Sequence, residues 1–118
     1  MSSFESSVTY EKSYKFAVRI VNLYKYLKFE HNEYILSKQL LRSGTAIGAL
    51  IREARYAQSK ADFINKLSIA LKEANETSYW LELLYDTNFL SKNKYHSIKN
   101  DADELLKLLV STIKTLKK

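Results

Sequence analysis

Cysteine and proline are absent from the 118-residue sequence, and glycine occurs only twice. Without cysteine the chain can form no disulfide and offers no thiolate as a nucleophile or metal ligand, which agrees with a reducing cytoplasm. Because proline and glycine mark most turns, their scarcity favours a few long helices joined by short connections. The composition therefore predicts an all-α protein.

Long apolar runs are absent as well. Charged residues interrupt every apolar stretch well short of the ~20 residues that a membrane-spanning helix needs. The N-terminal stretch MSSFESSVTYEKSYKF has no apolar core of the signal-peptide type. We therefore expect a cytoplasmic protein without a membrane partner.

The sequence does carry a strong helical periodicity. Apolar side chains recur at alternating steps of three and four residues, the spacing that keeps them on one face of a helix. The predicted helices cover about residues 9–28, 33–58, 60–87 and 92–117. Short connections make consecutive helices antiparallel neighbours, so we expect one domain over residues 1–118, an up-down-up-down four-helix bundle.

Two serines mark the predicted starts of the last two helices. Ser59 lies three residues before Asp62, the arrangement of a capping box, in which the acid is also favourable at a helix start. Ser91 is the predicted N-cap of the fourth helix.

The two glycines, Gly44 and Gly48, lie one turn apart inside the predicted second helix. Each costs ~0.5–1 kcal/mol relative to alanine, so the pair needs a reason. Small neighbours favour close packing of another helix, and a bend, a subunit contact or a ligand site are the alternatives.

The third predicted helix carries more apolar residues than one core-facing side needs, including Trp80. This excess predicts a second buried surface in an oligomer.

Groups for catalysis or metal binding are few. His31 lies in a predicted loop and His96 near a helix start, and no Glu-x-x-His pair places two ligands on one helical face. No phosphate-binding loop or nucleophile elbow occurs. We therefore expect no enzyme, no bound metal and no cofactor.

One charged cluster spans the second and third helices: Arg52, Glu53, Arg55, Glu73 and Glu76. An antiparallel pair of helices brings some of these groups within reach of each other. Glu73 and Glu76 repel each other at i,i+3 unless a cation lies nearby. The cluster is interpreted as structural ion pairs, with a functional carboxylate pair as the alternative.

The chain has a net charge of +6, from 19 basic and 13 acidic residues, which favours polyanionic partners. Candidate phosphate contacts lie on the outward sides of the first two helices: Lys12, Lys15, Arg19, Arg42 and Arg52. Tyrosines near these cations can stack on unpaired bases, namely Tyr14, Tyr26 and Tyr56. The alternative is that these cations serve only solvation.

The run LLRSGTAIGALIREARYAQSKADFINKLSIALKEANETSYWLELL, Leu40 to Leu84, resembles the signature stretch of a bacterial family of four-helix-bundle proteins. The family is named for intervening sequences in the large ribosomal RNA gene and includes the accessory variability determinant proteins of diversity-generating retroelements. The resemblance implies a homopentameric barrel whose basic surface contacts nucleic acid. It also implies structural and assembly roles for the charged cluster.

These observations predict a non-enzymatic, homo-oligomeric accessory protein that binds RNA or DNA without reading its sequence. The alternative is a protein-interaction scaffold whose partner is a reverse transcriptase or another protein. A hydrolase that uses Glu73 and Glu76 is a third hypothesis.

Overall fold

The computed structural model describes the backbone of residues 3–118 and side chains from residue 8 onward. It contains four α-helices: α1 (Ser3–His31), α2 (Leu36–Ala54), α3 (Lys60–Asp86) and α4 (Lys92–Leu116). No strand occurs among residues 3–118, so the predicted all-α class is confirmed. Residues 1 and 2 of the predicted domain lie outside the described part of the chain.

Helix α1 is longer than predicted at both ends. It begins at Ser3 rather than near residue 9, and it continues to His31 rather than ending near residue 28. Asn32 then adopts a left-handed conformation with φ 53°, which asparagine tolerates better than most residues. The backbone N–H of Glu33 donates to the carbonyl of Leu27 at 3.0 Å. This turn at Asn32 and Glu33 ends helix α1.

Helix α2 is shorter than its predicted span of residues 33–58. At its start the N-cap position is Ile35, and the Glu33 carboxylate, outside the helix, accepts from the backbone N–H of Ser37 at 2.8 Å. At its end, backbone N–H groups of residues 55–57 bond to carbonyls three residues back, at 3.0–3.2 Å. These tighter bonds turn the chain before α3.

The caps of α3 and α4 lie where the sequence predicts them. The Ser59 hydroxyl accepts from the backbone N–H of Asp62 at 3.0 Å, and the Asp62 carboxylate accepts from the backbone N–H of Gln58 at 3.2 Å. The Ser91 hydroxyl accepts from the backbone N–H of Lys94 at 3.2 Å. Both predicted caps are confirmed.

The core lies between the four helices and is consistent with a four-helix bundle that measures 44 × 21 × 19 Å. Each of the pairs α1–α2, α2–α3, α3–α4 and α1–α4 is in contact, and the α1–α4 contact is the least extensive. The largest fully buried side chains of the core include Phe16, Ile20, Leu40, Leu81 and Leu109. Among the described residues, no helix has the length and apolar character needed to cross a membrane.

Candidate nucleic-acid interface

The three predicted phosphate contacts on α1, which are Lys12, Lys15 and Arg19, form a basic stripe that faces carboxylates of α4. Lys12 forms an ion pair with Glu104, whose hydrogen bond and charge raise the pKa of Lys12. Arg19 donates through Nη1 to the Asp101 carboxylate at 2.6 Å. Lys15 lies beside the same carboxylates but in no ion pair with residues 8–118. Two of the three predicted phosphate contacts on α1 therefore already have an anionic partner.

Arg19 also binds the α4 backbone. Its Nη1 donates to the Ser97 carbonyl at 3.2 Å and its Nη2 to the Ser97 hydroxyl at 2.9 Å. A guanidinium has five N–H donors, so these contacts and the Asp101 bond leave further donors free.

Arg42 joins α2 to the two glutamates of α3. Its Nη1 donates to Glu73 at 3.0 Å and its Nη2 donates to Glu76. The indole N–H of Trp80 donates to the same Glu76 oxygen at 3.3 Å. The hydrogen bond from Arg42, followed by that from Trp80, holds the pKa of Glu76 below its ordinary value. The cation that relieves the repulsion between the two glutamates is thus Arg42, one of the predicted phosphate contacts.

The remaining members of the predicted charged cluster lie elsewhere. Arg52 and Arg55 stand over the ring of Tyr10, with guanidinium carbons 5.6 and 4.8 Å from its centroid. Glu53 lies 4.0 Å from the ammonium of Lys66. Neither arginine is brought to the α3 glutamates, because both contact Tyr10 of α1 instead.

The two glycines lie against α1. A Cβ atom on Gly44 would come within 2.8 Å of two side-chain carbons of Ile20. A Cβ atom on Gly48 would lie 3.4 Å from the carbonyl and hydroxyl oxygens of Ser13. Ile20 and Ser13 are fully buried. Both glycines therefore sit at the α1–α2 contact, and Gly44 leaves no room for a side chain.

An open groove of about 450 Å³ lies between α1 and α4. Four residues of each helix line it: Arg19, Asn22, Leu23 and Tyr26 of α1, and Asn93, Lys94, Ser97 and Ile98 of α4. The Lys94 ammonium lies 3.6 Å from the centroid of the Tyr26 ring. The Tyr26 hydroxyl lies 2.8 Å from Nε2 of His31. No carboxylate is among the residues that line this groove.

A second cavity of about 200 Å³ continues the same seam toward the start of α1. It is lined by Lys12, Lys15, Asp101 and Glu104 over an apolar floor. Cations and carboxylates thus balance in this cavity, whereas the larger groove is cationic.

Lys94 is not among the residues predicted from the sequence, whereas its neighbour Tyr26 is a predicted stacking candidate. The available signal was the opening of α4, which reads KNKYHS and places two lysines, a tyrosine and a histidine within six residues. The other two named tyrosines are far more exposed: Tyr14 is 61% and Tyr56 83% exposed.

The histidines are engaged with aromatic rings. His31 packs edge-on against Tyr26 and Phe89, and His96 lies beside Tyr85 and Tyr95. Among the described residues, no three side chains of His, Asp or Glu gather in a group that could hold a metal ion.

Comparison with known proteins places these features in a family. A sequence model described as 23S rRNA-intervening sequence protein matches residues 5–111. The chain is also similar to a crystal structure, at 1.70 Å, of a protein with unknown function from the S23 ribosomal protein family of Bacteroides thetaiotaomicron VPI-5482. The two share 63% identity and a TM-score of 0.92, over 93% of this chain and 98% of the other. No curated protein matches the chain.

Proposed function

The chain belongs to the 23S rRNA-intervening sequence protein family, as its sequence resemblance predicts, and we propose that it is a non-enzymatic, self-associating protein that binds nucleic acid without reading its sequence. The observation that carries this proposal is the balance of unpaired charge. Among residues 8–118, ion pairs engage five cationic side chains and seven carboxylates. Pairing therefore consumes more negative than positive groups, and the net charge of +6 rests on cations that remain available to phosphates.

The predicted phosphate contacts divide into two groups under this proposal. Lys15 and Arg52 lie in no ion pair with the described residues and are exposed, so they meet phosphates directly. Lys12, Arg19 and Arg42 must share their charge with a carboxylate and contribute less. Binding of this kind is steered by charge and depends steeply on salt.

Catalysis by the α3 glutamates is the weaker hypothesis. Arg42 holds the pKa of Glu76 below its ordinary value, so this group stays ionised near neutral pH. A general acid or base needs a pKa near the working pH. The contact with Arg42 instead supports an ion pair that fixes the register of α2 on α3.

Self-association into a homopentamer completes the proposal. Several large apolar side chains are exposed on the single subunit, with exposed fractions of 76% for Ile35, 56% for Tyr79 and 47% for Tyr34. Burying such side chains against identical copies stabilises an assembly, and each added copy multiplies the positive surface. Within a subunit, an up-down-up-down order is supported by contacts such as Arg19 with Asp101 and Lys12 with Glu104, in which rising residue numbers of α1 meet falling numbers of α4.

A direct test is to titrate the protein into fluorescently labelled single-stranded RNA and duplex DNA, at about 50 and about 200 mM salt. We expect affinity that falls steeply with salt. The double variant Lys15→Gln/Arg52→Gln should bind more weakly, whereas Lys12→Gln should change the affinity less. Light scattering on the same samples reports the subunit number, and a strict monomer contradicts the pentamer.

The alternative is a scaffold that binds a reverse transcriptase or another protein. It is favoured by the neutralisation of Lys12, Arg19 and Arg42 within the fold. Absence of binding to both nucleic acids, or binding that does not respond to salt, would replace the first proposal with this one.

A further inference from the structure

We propose that the groove between α1 and α4 holds one nucleotide of a single-stranded nucleic acid. This inference rests on the proposed function and adds to it the place where the strand is held and the chemistry that holds it. The groove is larger than the neighbouring cavity on the α1–α4 seam, which Lys12 and Lys15 of the predicted basic stripe line.

The walls of the groove come from one face of each helix. Residues 19, 22, 23 and 26 of α1, and residues 93, 94, 97 and 98 of α4, lie at steps of three and four. Ile98 is buried and Leu23 is half-buried, so the floor is apolar, whereas the rim carries polar and cationic groups. An apolar floor under a few polar groups is the usual construction of a small-ligand site, and ~450 Å³ lies within the range of such sites.

The charge of the groove selects an anion. Lys94 is exposed and forms no ion pair with residues 8–118, and Arg19 keeps N–H donors beyond those that bind Asp101 and Ser97. Both cations lie at the groove, with no carboxylate in its lining. The neighbouring cavity contains two carboxylates, Asp101 and Glu104, which oppose a phosphate. A phosphate therefore binds at the Lys94 end of the seam.

Tyr26 positions the lysine. Its ring lies 3.6 Å from the Lys94 ammonium, a cation–π contact that holds the charge over the groove. The Tyr26 hydroxyl is in turn held by His31 at 2.8 Å. Tyr26 thus acts through Lys94 and is a positioning residue.

The polar rim fits a base rather than a bare phosphate. The side-chain amides of Asn22 and Asn93 line the groove and make no hydrogen bond to residues 8–118. Each amide offers both donors and an acceptor, as the edge of a nucleobase does. The flat base lies on the apolar floor of Leu23 and Ile98 while its phosphate meets Lys94. Only an unpaired base can enter, because the bases of a duplex are stacked and paired.

The test measures the affinity of a short labelled single strand by fluorescence anisotropy across a salt series. Lys94→Gln should weaken binding about fivefold at low salt and lower the slope of log affinity against log salt by about 0.7, the value of one lost phosphate contact. Lys72→Gln is the matched control, because Lys72 is exposed on α3 and does not line the groove. It should change the affinity less than about twofold and leave the slope unchanged.

Two further variants test the role of Tyr26. Tyr26→Phe keeps the ring that holds Lys94 and should retain wild-type affinity. Tyr26→Leu removes the aromatic face and should weaken binding about as much as Lys94→Gln. Circular dichroism verifies that each variant keeps its helices. Equal loss in the Phe and Leu variants would overturn the cation–π positioning.

Competitor ligands separate the base from the phosphate. An abasic strand of the same length carries the same charge without bases, and it should compete less well than the normal strand. Equal competition overturns the base contact, and strong competition by free uridine monophosphate assigns the groove to a free nucleotide instead of a strand.

The variants separate the groove inference from the proposed function. If the wild type binds the strand while Lys94→Gln and Lys72→Gln behave alike, the inference about the groove is wrong and the proposed function stands. If the wild type binds no strand at all, the proposed function fails, and the groove inference fails with it.

Discussion

Helix α1 meets α2 and α4 in two different ways. Toward α2, Gly44 and Gly48 present bare backbone, and Ile20 and Ser13 of α1 pack directly against it. Toward α4, long polar side chains such as Arg19, Tyr26 and Lys94 stand between the helices and leave a groove of about 450 Å³. Side-chain size at the seam thus decides whether the space between two helices is filled or accessible.

The two seams also differ in the interactions that stabilise them. At the two glycines the α1–α2 seam is fully buried, so its contribution to stability there comes from close packing. The α1–α4 seam is held by ion pairs and hydrogen bonds that are partly open to water, each of which contributes little. A bundle built in this way is closely packed on one side of α1 and leaves an accessible groove on the other.

The largest expected effect lies on the closed side, at Gly44. Gly44→Ala places a Cβ 2.8 Å from Ile20, whose branched carbons cannot move away without displacing the core. We expect a loss of roughly 1–3 kcal/mol in the free energy of unfolding, as for other over-packed sites. Urea denaturation followed by circular dichroism measures it.

Gly48→Ala is the matched control for that variant. Its Cβ would make ordinary contacts of 3.4 Å with Ser13, so the gain in helix propensity of up to ~1 kcal/mol should decide the sign. A stabilised or unchanged Gly48→Ala beside a destabilised Gly44→Ala supports the packing described here. Equal losses at both positions would show that the close approach is not specific to Gly44.

The next effect lies on the open side, at Arg19. Arg19→Met keeps most of the aliphatic stem but loses the Asp101 ion pair and the bonds to Ser97. Because the side chain is partly exposed, we expect a loss of about 1 kcal/mol in the free energy of unfolding. Urea denaturation is again the measurement, and a loss larger than that of Gly44→Ala would reverse the ranking of the two seams.

A smaller effect, on the α2–α3 seam, depends on pH. The pKa of Glu76 is lowered in the folded protein, so its ionised form stabilises the fold at pH values above its ordinary pKa of about 4.5. That contribution is lost as the pH falls through the lowered folded pKa. Glu76→Gln should cost about 0.5 kcal/mol near neutral pH, since the group is partly exposed.

Urea denaturation of both proteins at neutral pH and at about pH 3 checks this sign. The difference between Glu76→Gln and the wild type should narrow in acid. A difference that stays constant or widens would contradict the assignment of the shift to Arg42.

The smallest expected effect is at Lys12. Its ion pair with Glu104 joins two exposed side chains, so Lys12→Gln should leave the free energy of unfolding nearly unchanged. Thermal unfolding monitored by circular dichroism at low and high salt measures it. A large, salt-sensitive loss would mean that charge, and not packing, dominates the α1–α4 seam.

The sequence predicted the features that depend on near neighbours. Helical periodicity and the absence of proline indicated four helices, and Ser59 and Ser91 indicated two caps because a cap and its partner are three residues apart. The ends of α2 were missed, since the bond from Ser37 to Glu33 and the tight turn after Ala54 leave the apolar pattern unchanged.

Contacts between distant helices were harder to predict. Periodicity identifies the face of a helix, but it does not fix the axial register between α1 and α4, whose contacting residues Arg19 and Asp101 are 82 positions apart. The carboxylates that pair with Lys12 and Arg19 could therefore not be predicted from the sequence. For the same reason the contact of Arg42 with Glu73 was not predicted, and neither was the contact of Lys94 with Tyr26.

The most direct test of this account is ultraviolet cross-linking of the protein to a single strand that contains 4-thiouridine, followed by mass spectrometry. We predict cross-links in peptides that contain Tyr26 or Lys94, and their reduction by an excess of unlabelled strand. Cross-links confined to the paired cations Lys12 and Arg42, with none at the α1–α4 groove, would contradict the account.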